Sequence, residues 1–201
     1  MNTKKLAITI LFAALAIVLN PTLTHIALPY PFMQGLVYQI WEIPIVIAFL
    51  IVSPIAGIAV SLLNTCVLFA IFPGAIPTGP LYNLLATLAM QIGIYIAVAI
   101  GKKICYRKNP KTNIYASSKW LIAATGLGIL TRVVFMSVVL YFALPQVPPI
   151  GYALDQAAAI ASLPFVALFN ATLALYTIPA GWIIAQRVQK VLHLTIPGID
   201  K

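Results

Sequence analysis

The sequence is poor in charge. Only 7% of its 201 residues are Asp, Glu, Lys or Arg, against 62% that are hydrophobic, so a water-soluble domain built from it has too little polar surface to cover itself. Acids are scarce, three in all, and there are only two histidines and two cysteines. A metal centre needs several His, Cys or carboxylate ligands converging on one point, and here His25 falls in one connection, His193 in the tail, and the acids are scattered. No metal site is expected. Nor is a disulfide framework, because Cys66 lies inside an apolar run and Cys105 in a basic segment. The chain has no Gly-x-x-x-x-Gly-Lys-Ser/Thr run to cradle phosphate, so it is not expected to hydrolyse ATP on its own. Ser61, the nearest apparent nucleophile, has no histidine within any apolar run to act as its base. No catalytic residue is assigned, and no resident cofactor is expected.

What the sequence does have is long apolar runs. A helical crossing takes about 20 mostly apolar residues, and the Pro, Gly and charged breaks divide the chain into six: Leu6–Leu19, Leu36–Val52, Pro54–Phe72, Pro80–Gly101, Trp120–Leu144 and Ala161–Ala185. The fold class expected is an all-α membrane protein, a single six-helix bundle spanning residues 1–201. The first run, with Ala14-Leu15-Ala16, also has features of a signal peptide; losing it would leave five crossings and put the later positive clusters outside. Three connections face the other way from the basic clusters: Pro21–Gly35, long enough to act as a lid, Pro73–Gly79, and Pro145–Asp155. No internal repeat divides the chain into two halves.

Twelve Lys and Arg against three acids give a net charge of +9, which in a soluble protein would suggest nucleic acid. The placement argues for a lipid bilayer instead, with no nucleic-acid partner. Lys4 and Lys5 precede the first run, the 102–119 loop carries six more, and Arg187, Lys190 and Lys201 follow the last. Cytoplasmic segments collect Lys and Arg, so both termini, the 102–119 loop and the 191–201 tail are assigned to the cytosol, facing anionic headgroups. Trp120 and Trp182 near the inner ends, with Tyr30, Phe32, Tyr38 and Trp41 near the outer, are spaced as interfacial aromatic anchors.

Two charges break the apolar pattern. Glu42 lies about 9 Å inside the second crossing at about 1.5 Å per residue, and Arg132 sits near the middle of the fifth. Each costs about 2.5–3.5 kcal/mol to insert unpaired, so each should face the bundle interior, either locked to the other as a structural ion pair or turned toward a polar ligand. Gln39, Asn83 and Asn170 fall in the same outer half. Their amides both donate and accept, which suits a ligand with hydroxyls, carbonyls and ring nitrogens; interhelical hydrogen bonds are the plainer reading for each. Tyr38, Trp41 and Tyr82 supply a flat apolar wall, or simple packing. Asn64, midway along the third crossing, reads first as an interhelical contact and second as a ligand contact. Glu42 alone among the acids lies within a crossing, and a single carboxylate also permits proton-coupled transport. The small residues Ala13, Ala14 and Ala16 allow close helix packing, within the bundle or against a partner.

Glu42-Ile43-Pro44, Ser53-Pro54-Ile55-Ala56-Gly57 and Pro77-Thr78-Gly79-Pro80-Leu81-Tyr82-Asn83 together resemble the S components of energy-coupling factor (ECF) vitamin transporters, and most closely the riboflavin-specific ones. Met136-Ser137 and Leu163-Pro164-Phe165 extend the likeness over most of the chain. The resemblance implies a non-enzymatic, multi-pass protein of the cell membrane that binds a vitamin from outside, with riboflavin the first candidate, and the pocket is expected in the outer half under the 21–35, 73–79 and 145–160 loops. It further implies partnership with a transmembrane coupling protein and two ABC-type ATPases that use the ATP, with Ala13, Ala14 and Ala16 as the docking face. Departures bear on the ligand. Ser53 replaces a usual Gly, Asn64 stands near a common Lys, Leu140 near an expected Asn and Phe169 near a Lys that contacts flavin in relatives. Arg132 has no counterpart in the riboflavin group, leaving room for a carboxylate or phosphate on the ligand.

Overall fold

A computed structural model describes residues 3–20, 23, 28–33, 36–71, 78–108 and 114–192. The expected elements at Pro77, Lys111, His25 and His193, and the tail from 193 onward, lie outside the described residues. Helix α1 covers Thr3–Val18, strands β1 (Leu28–Pro29) and β2 (Val37–Tyr38) form a short antiparallel ribbon, and α2 (Glu42–Ile51) and α3 (Pro54–Ile71) follow. Then come α4 (Gly79–Lys108), a 3-10 turn at Ile114–Ala116, α5 (Ser118–Ala143) and α6 (Gln156–Leu192). Helices α3, α4, α5 and α6 each pack on the next, α2 closes the ring between α3 and α6, and α1 covers α2 and α3.

Four of these helices, α3 to α6, are long and apolar enough to cross a bilayer. Their outward faces carry large apolar side chains such as Ile55, Ile122 and Phe142, while Thr65, Thr87, Thr125 and Thr131 return their hydroxyls to carbonyls of their own helices. That is how a membrane-embedded chain satisfies its polar groups without water. α1, with 16 residues, and α2, with 10, are shorter.

The largest departure from the sequence reading is at α2. The run expected as helical from Leu36 starts its helix only at Glu42. Pro44 is the reason: a helix reaching back past Ile40 would need the N–H that proline lacks and would drive its ring into the Ile40 carbonyl. The residues before it turn into the ribbon, where the Tyr176 hydroxyl both accepts from the Gln39 backbone N–H (3.2 Å) and donates to its carbonyl (2.6 Å). Every residue of α2 except Ile43 is buried, so the shortest helix forms the centre of the core. Ser53 ends the turn after it, accepting the Ala56 N–H on its hydroxyl at 3.1 Å, with Pro54 opening α3.

Both ends of the basic segment are helical. α4 continues through Lys102, Lys103 and Arg107 to Lys108, and α5 already includes Lys119. Lys and Arg are good helix formers and suit the negative end of the helix dipole, so charge marks the end of the apolar span without ending the helix. α6 likewise runs from Gln156 to Leu192, beyond the 161–185 expected. Of the expected interfacial aromatics, Trp182, Tyr30 and Trp41 are buried in the fold and Phe32 is exposed. Trp182 donates its ring N–H to the Tyr115 carbonyl at 2.9 Å, and Gln186 donates to the same oxygen, pinning the 3-10 turn under α6.

Between α5 and α6 the 144–155 segment folds into a compact cap. The Tyr152 and Leu154 N–H groups both donate to the Leu144 carbonyl, and the Asp155 carboxylate accepts from the Ala158 N–H at 2.6 Å at the start of α6. Gly151 is required there, since a Cβ at that position would lie 2.0 Å from the Ala143 carbonyl oxygen. Thr78 and Tyr82 tie the cap to α4, donating to the Pro149 and Ile150 carbonyls at 2.5 Å each.

Candidate functional site

Beneath this cap lies a cavity of about 220 Å³. The ribbon approaches it through Leu36 and Val37, α4 through Tyr82 and Asn83, α5 through Arg132 and Met136, α6 through Phe169 and Asn170, and the cap through Ile150 and Tyr152. The ribbon side is held to α6 by an aromatic cluster. Tyr30 donates to the Phe165 carbonyl, Tyr38 shares a hydrogen bond with the Thr172 hydroxyl at 3.0 Å, and the Tyr30 and Tyr38 rings each meet Phe169 at 5.3 Å between centroids. Two differently anchored segments thus form the roof, one tied to α6 and one to α4. Tyr152, in the cap, has its phenol pushed up from the usual range by partial burial, so it meets the cavity as a neutral hydroxyl.

The floor is a polar network drawn from four helices and the segment before α2. Arg132 donates Nη1 to Glu42 Oε2 at 2.5 Å and Nη2 to Glu42 Oε1 at 2.9 Å, a two-pronged ion pair whose side chains are 1% and 0% exposed. Gln39 Nε2 donates to Glu42 Oε1 at 2.7 Å and Asn83 Nδ2 to the same oxygen at 3.3 Å. On the other side, Arg132 Nε donates to Asn170 Oδ1 at 2.9 Å, and Asn170 Nδ2 donates to the Val166 carbonyl. A buried ion pair is tolerable only when it is supported by further hydrogen bonds; here Gln39 and Asn83 donate to the carboxylate and Asn170 accepts from the guanidinium. Above the floor the walls are Trp41, Leu68, Met136 and Phe169. An apolar slot with a few convergent amides is the general form of a small-molecule site.

The fold that carries this site is a known one. A solved structure of the S component of a bacterial ECF transporter matches with a TM-score of 0.70, covering 96% of this chain and 99% of that one at 22% identity. The chain has the S-component fold. No family model and no curated protein matches its sequence.

Within that S-component fold the candidate residues divide into three groups. Gln39, Trp41, Tyr82, Asn83, Arg132 and Asn170 line the cavity. Glu42 does not; it sits behind Arg132, and its carboxylate is occupied by Arg132, Gln39 and Asn83. Tyr38 and Asn64 are also off the cavity. Tyr38 belongs to the aromatic cluster, and Asn64 is buried on α3 three residues after Ser61, whose hydroxyl accepts from Gln91 Nε2 of α4 at 2.8 Å. Of the three alanines expected to form a docking face, Ala13 and Ala16 pack inward against the core and only Ala14 is exposed. With a helical repeat of 3.6 residues, positions 13 and 16 share a face and 14 does not.

Sequence reasoning put the pocket beneath the 145–160 connection but named none of the cap residues that line it, Ile150 and Tyr152, nor Leu36 and Val37 of the ribbon side. The Pro148-Pro149-Ile150-Gly151 run marks a turn without saying which of its side chains face the cavity. Phe169 was noted only as a departure from relatives, and Gln91 carried no signal beyond being an amide in an apolar run.

Proposed function

We propose that this chain is the solute-binding S component of an ECF-type importer, taking up a vitamin-like small molecule from outside the cell. The observation that carries the reading is the roofed cavity itself, with apolar walls above a floor of three amides braced by one ion pair. Its position supports an outward-facing site. On α4 the cavity residue Asn83 and the basic residue Lys102 are separated by 19 positions, about 28 Å at about 1.5 Å per residue, close to the thickness of a bilayer core. α5 and α6 repeat the polarity, with Lys119, Arg187 and Lys190 at the end away from the cavity. Lys and Arg gather on the cytosolic side, so the cavity opens outward, and both termini lie in the cytosol of a six-span bundle in which α1 and α2, each extended by its flanking segment, make the two shorter crossings.

Transport would require the transmembrane coupling protein and two ABC-type ATPases, since the chain carries no phosphate-binding loop of its own. Ala14 and its exposed neighbours Ile10, Leu11 and Val18 on α1 offer an apolar outer face for the coupling protein. Riboflavin is the first solute to test. The purified protein, titrated with riboflavin and a panel of other vitamins while tryptophan fluorescence is followed, should bind at least one tightly; the Trp41 wall makes the emission sensitive to an occupant. Failure of every solute would leave the network a purely structural brace. Uptake by the purified chain alone in liposomes, driven by a pH gradient, would instead make it a self-sufficient carrier. The enclosure of Glu42 behind Arg132 argues against that.

A further inference from the structure

The charge that the cavity presents is decided by a residue that does not line it. Arg132 is the one formally charged residue of the lining among the described residues. Its guanidinium has five N–H groups, and the Glu42 carboxylate and Asn170 Oδ1 take three of them, with Met90 Sδ at 3.6 Å from Nη1. Glu42 cancels the positive charge at contact distance. An anionic solute would therefore give up its hydration on entering the apolar slot and meet a guanidinium already committed to a carboxylate, with no other cation in the lining. An uncharged solute avoids that cost.

Asn83 supplies the complementary edge. It is half-buried on the cavity wall, its Nδ2 spends one N–H on Glu42, and its Oδ1 has no partner among the described residues. It is left with one donor and one acceptor side by side, the pattern that pairs with an amide, imide or lactam edge. We infer that the cavity selects an uncharged solute carrying such an edge, and that Glu42 sets this selectivity through Arg132 without touching the solute. This rests on the solute-binding reading above and narrows its ligand class.

The test uses matched neutral and anionic solutes: nicotinamide against nicotinate, biotinamide against biotin, and pantothenol against pantothenate, with riboflavin alongside, each titrated into the purified full-length chain at neutral pH. For any pair that binds, the neutral member should bind more than about tenfold more tightly; riboflavin binding alone, being uncharged, also agrees. An anion bound more tightly than its neutral partner overturns the charge selectivity and leaves the solute-binding role standing. No binding by any of them overturns the solute-binding role itself.

Glu42→Gln then separates a selectivity role from a bracing one. With the carboxylate gone Arg132 keeps its charge, and the preference should move toward the anion by at least about tenfold. Should that variant fail to fold, Glu42→Gln combined with Arg132→Gln removes both charges and should keep the neutral preference. A shift of the double variant toward anions would overturn the assignment of selectivity to this pair.

Discussion

Arg132 grips the Glu42 carboxylate with both terminal nitrogens, at 2.5 and 2.9 Å, across 90 residues of chain. The pair joins α5 to the first residue of α2, the buried helix at the centre of the bundle. Removing one partner of a buried pair leaves an uncompensated charge, which costs about 3–5 kcal/mol. Arg132→Met should lower the thermal midpoint of the detergent-solubilised protein sharply, and adding Glu42→Gln should recover most of the loss. If the two substitutions simply add, the ion pair does not brace α2.

Gly93 and Gly126 offer a matched pair of substitutions. A Cβ at Gly93 would lie 2.4 Å from the Leu127 carbonyl oxygen on α5, whereas at Gly126 nothing lies within 4 Å. Gly93→Ala should push α4 from α5 and destabilise by about 1–3 kcal/mol. Gly126→Ala gains helix propensity at no steric cost and should be neutral or stabilising by up to about 1 kcal/mol. Equal thermal shifts for the two would mean that α4 and α5 do not approach closely at Gly93.

The cap over the cavity hangs on two hydroxyls. Tyr82→Phe removes the bond to the Ile150 carbonyl and should cost about 0.5–1.5 kcal/mol, with the change confined to the cap. Hydrogen exchange should quicken at Gly151, Tyr152 and Ala153, whose N–H groups bond within it, while exchange along α2 stays as it was. Uniform quickening across the bundle would contradict an independent cap.

Asn83→Ala removes the most open polar edge of the cavity and should weaken solute binding by about tenfold, the worth of one hydrogen bond; because it also takes one long donor from the Glu42 carboxylate, the melting temperature should fall, by less than in Arg132→Met. Asn64→Leu is its counterpart off the cavity. Asn64 Oδ1 is buried with no hydrogen-bond partner among the described residues, so an apolar replacement of similar size should hold or raise stability and leave affinity unchanged. A loss of affinity in Asn64→Leu would bring this part of α3 into the binding site.

Much of the candidate site was legible in the residues themselves. A carboxylate, a guanidinium and three amides in the outer half of apolar runs must turn inward, because lipid offers them nothing, and inward-facing groups at one depth tend to meet. Which of them would face a solute was not legible. Glu42 and Asn83 looked alike as polar residues near the outer end, yet one is sealed behind Arg132 and the other is half-open to the cavity. The difference comes from the rotation of α2 against α4 and α5, which depends on side chains from every neighbouring helix.

The sequence alone determined that this chain lives in a membrane, where its long helices lie, and which end of each carries positive charge, because those follow from hydropathy and composition read locally along the chain. Tertiary structure alone decided that Ala13 and Ala16 turn into the core, and which residues of the ribbon and of the cap line the cavity they cover. These depend on contacts between segments a hundred or more residues apart, such as Tyr30 with Phe165 and Tyr38 with Thr172. No local pattern encodes such contacts, since the free energy that selects them is shared between partners that meet only when the bundle closes.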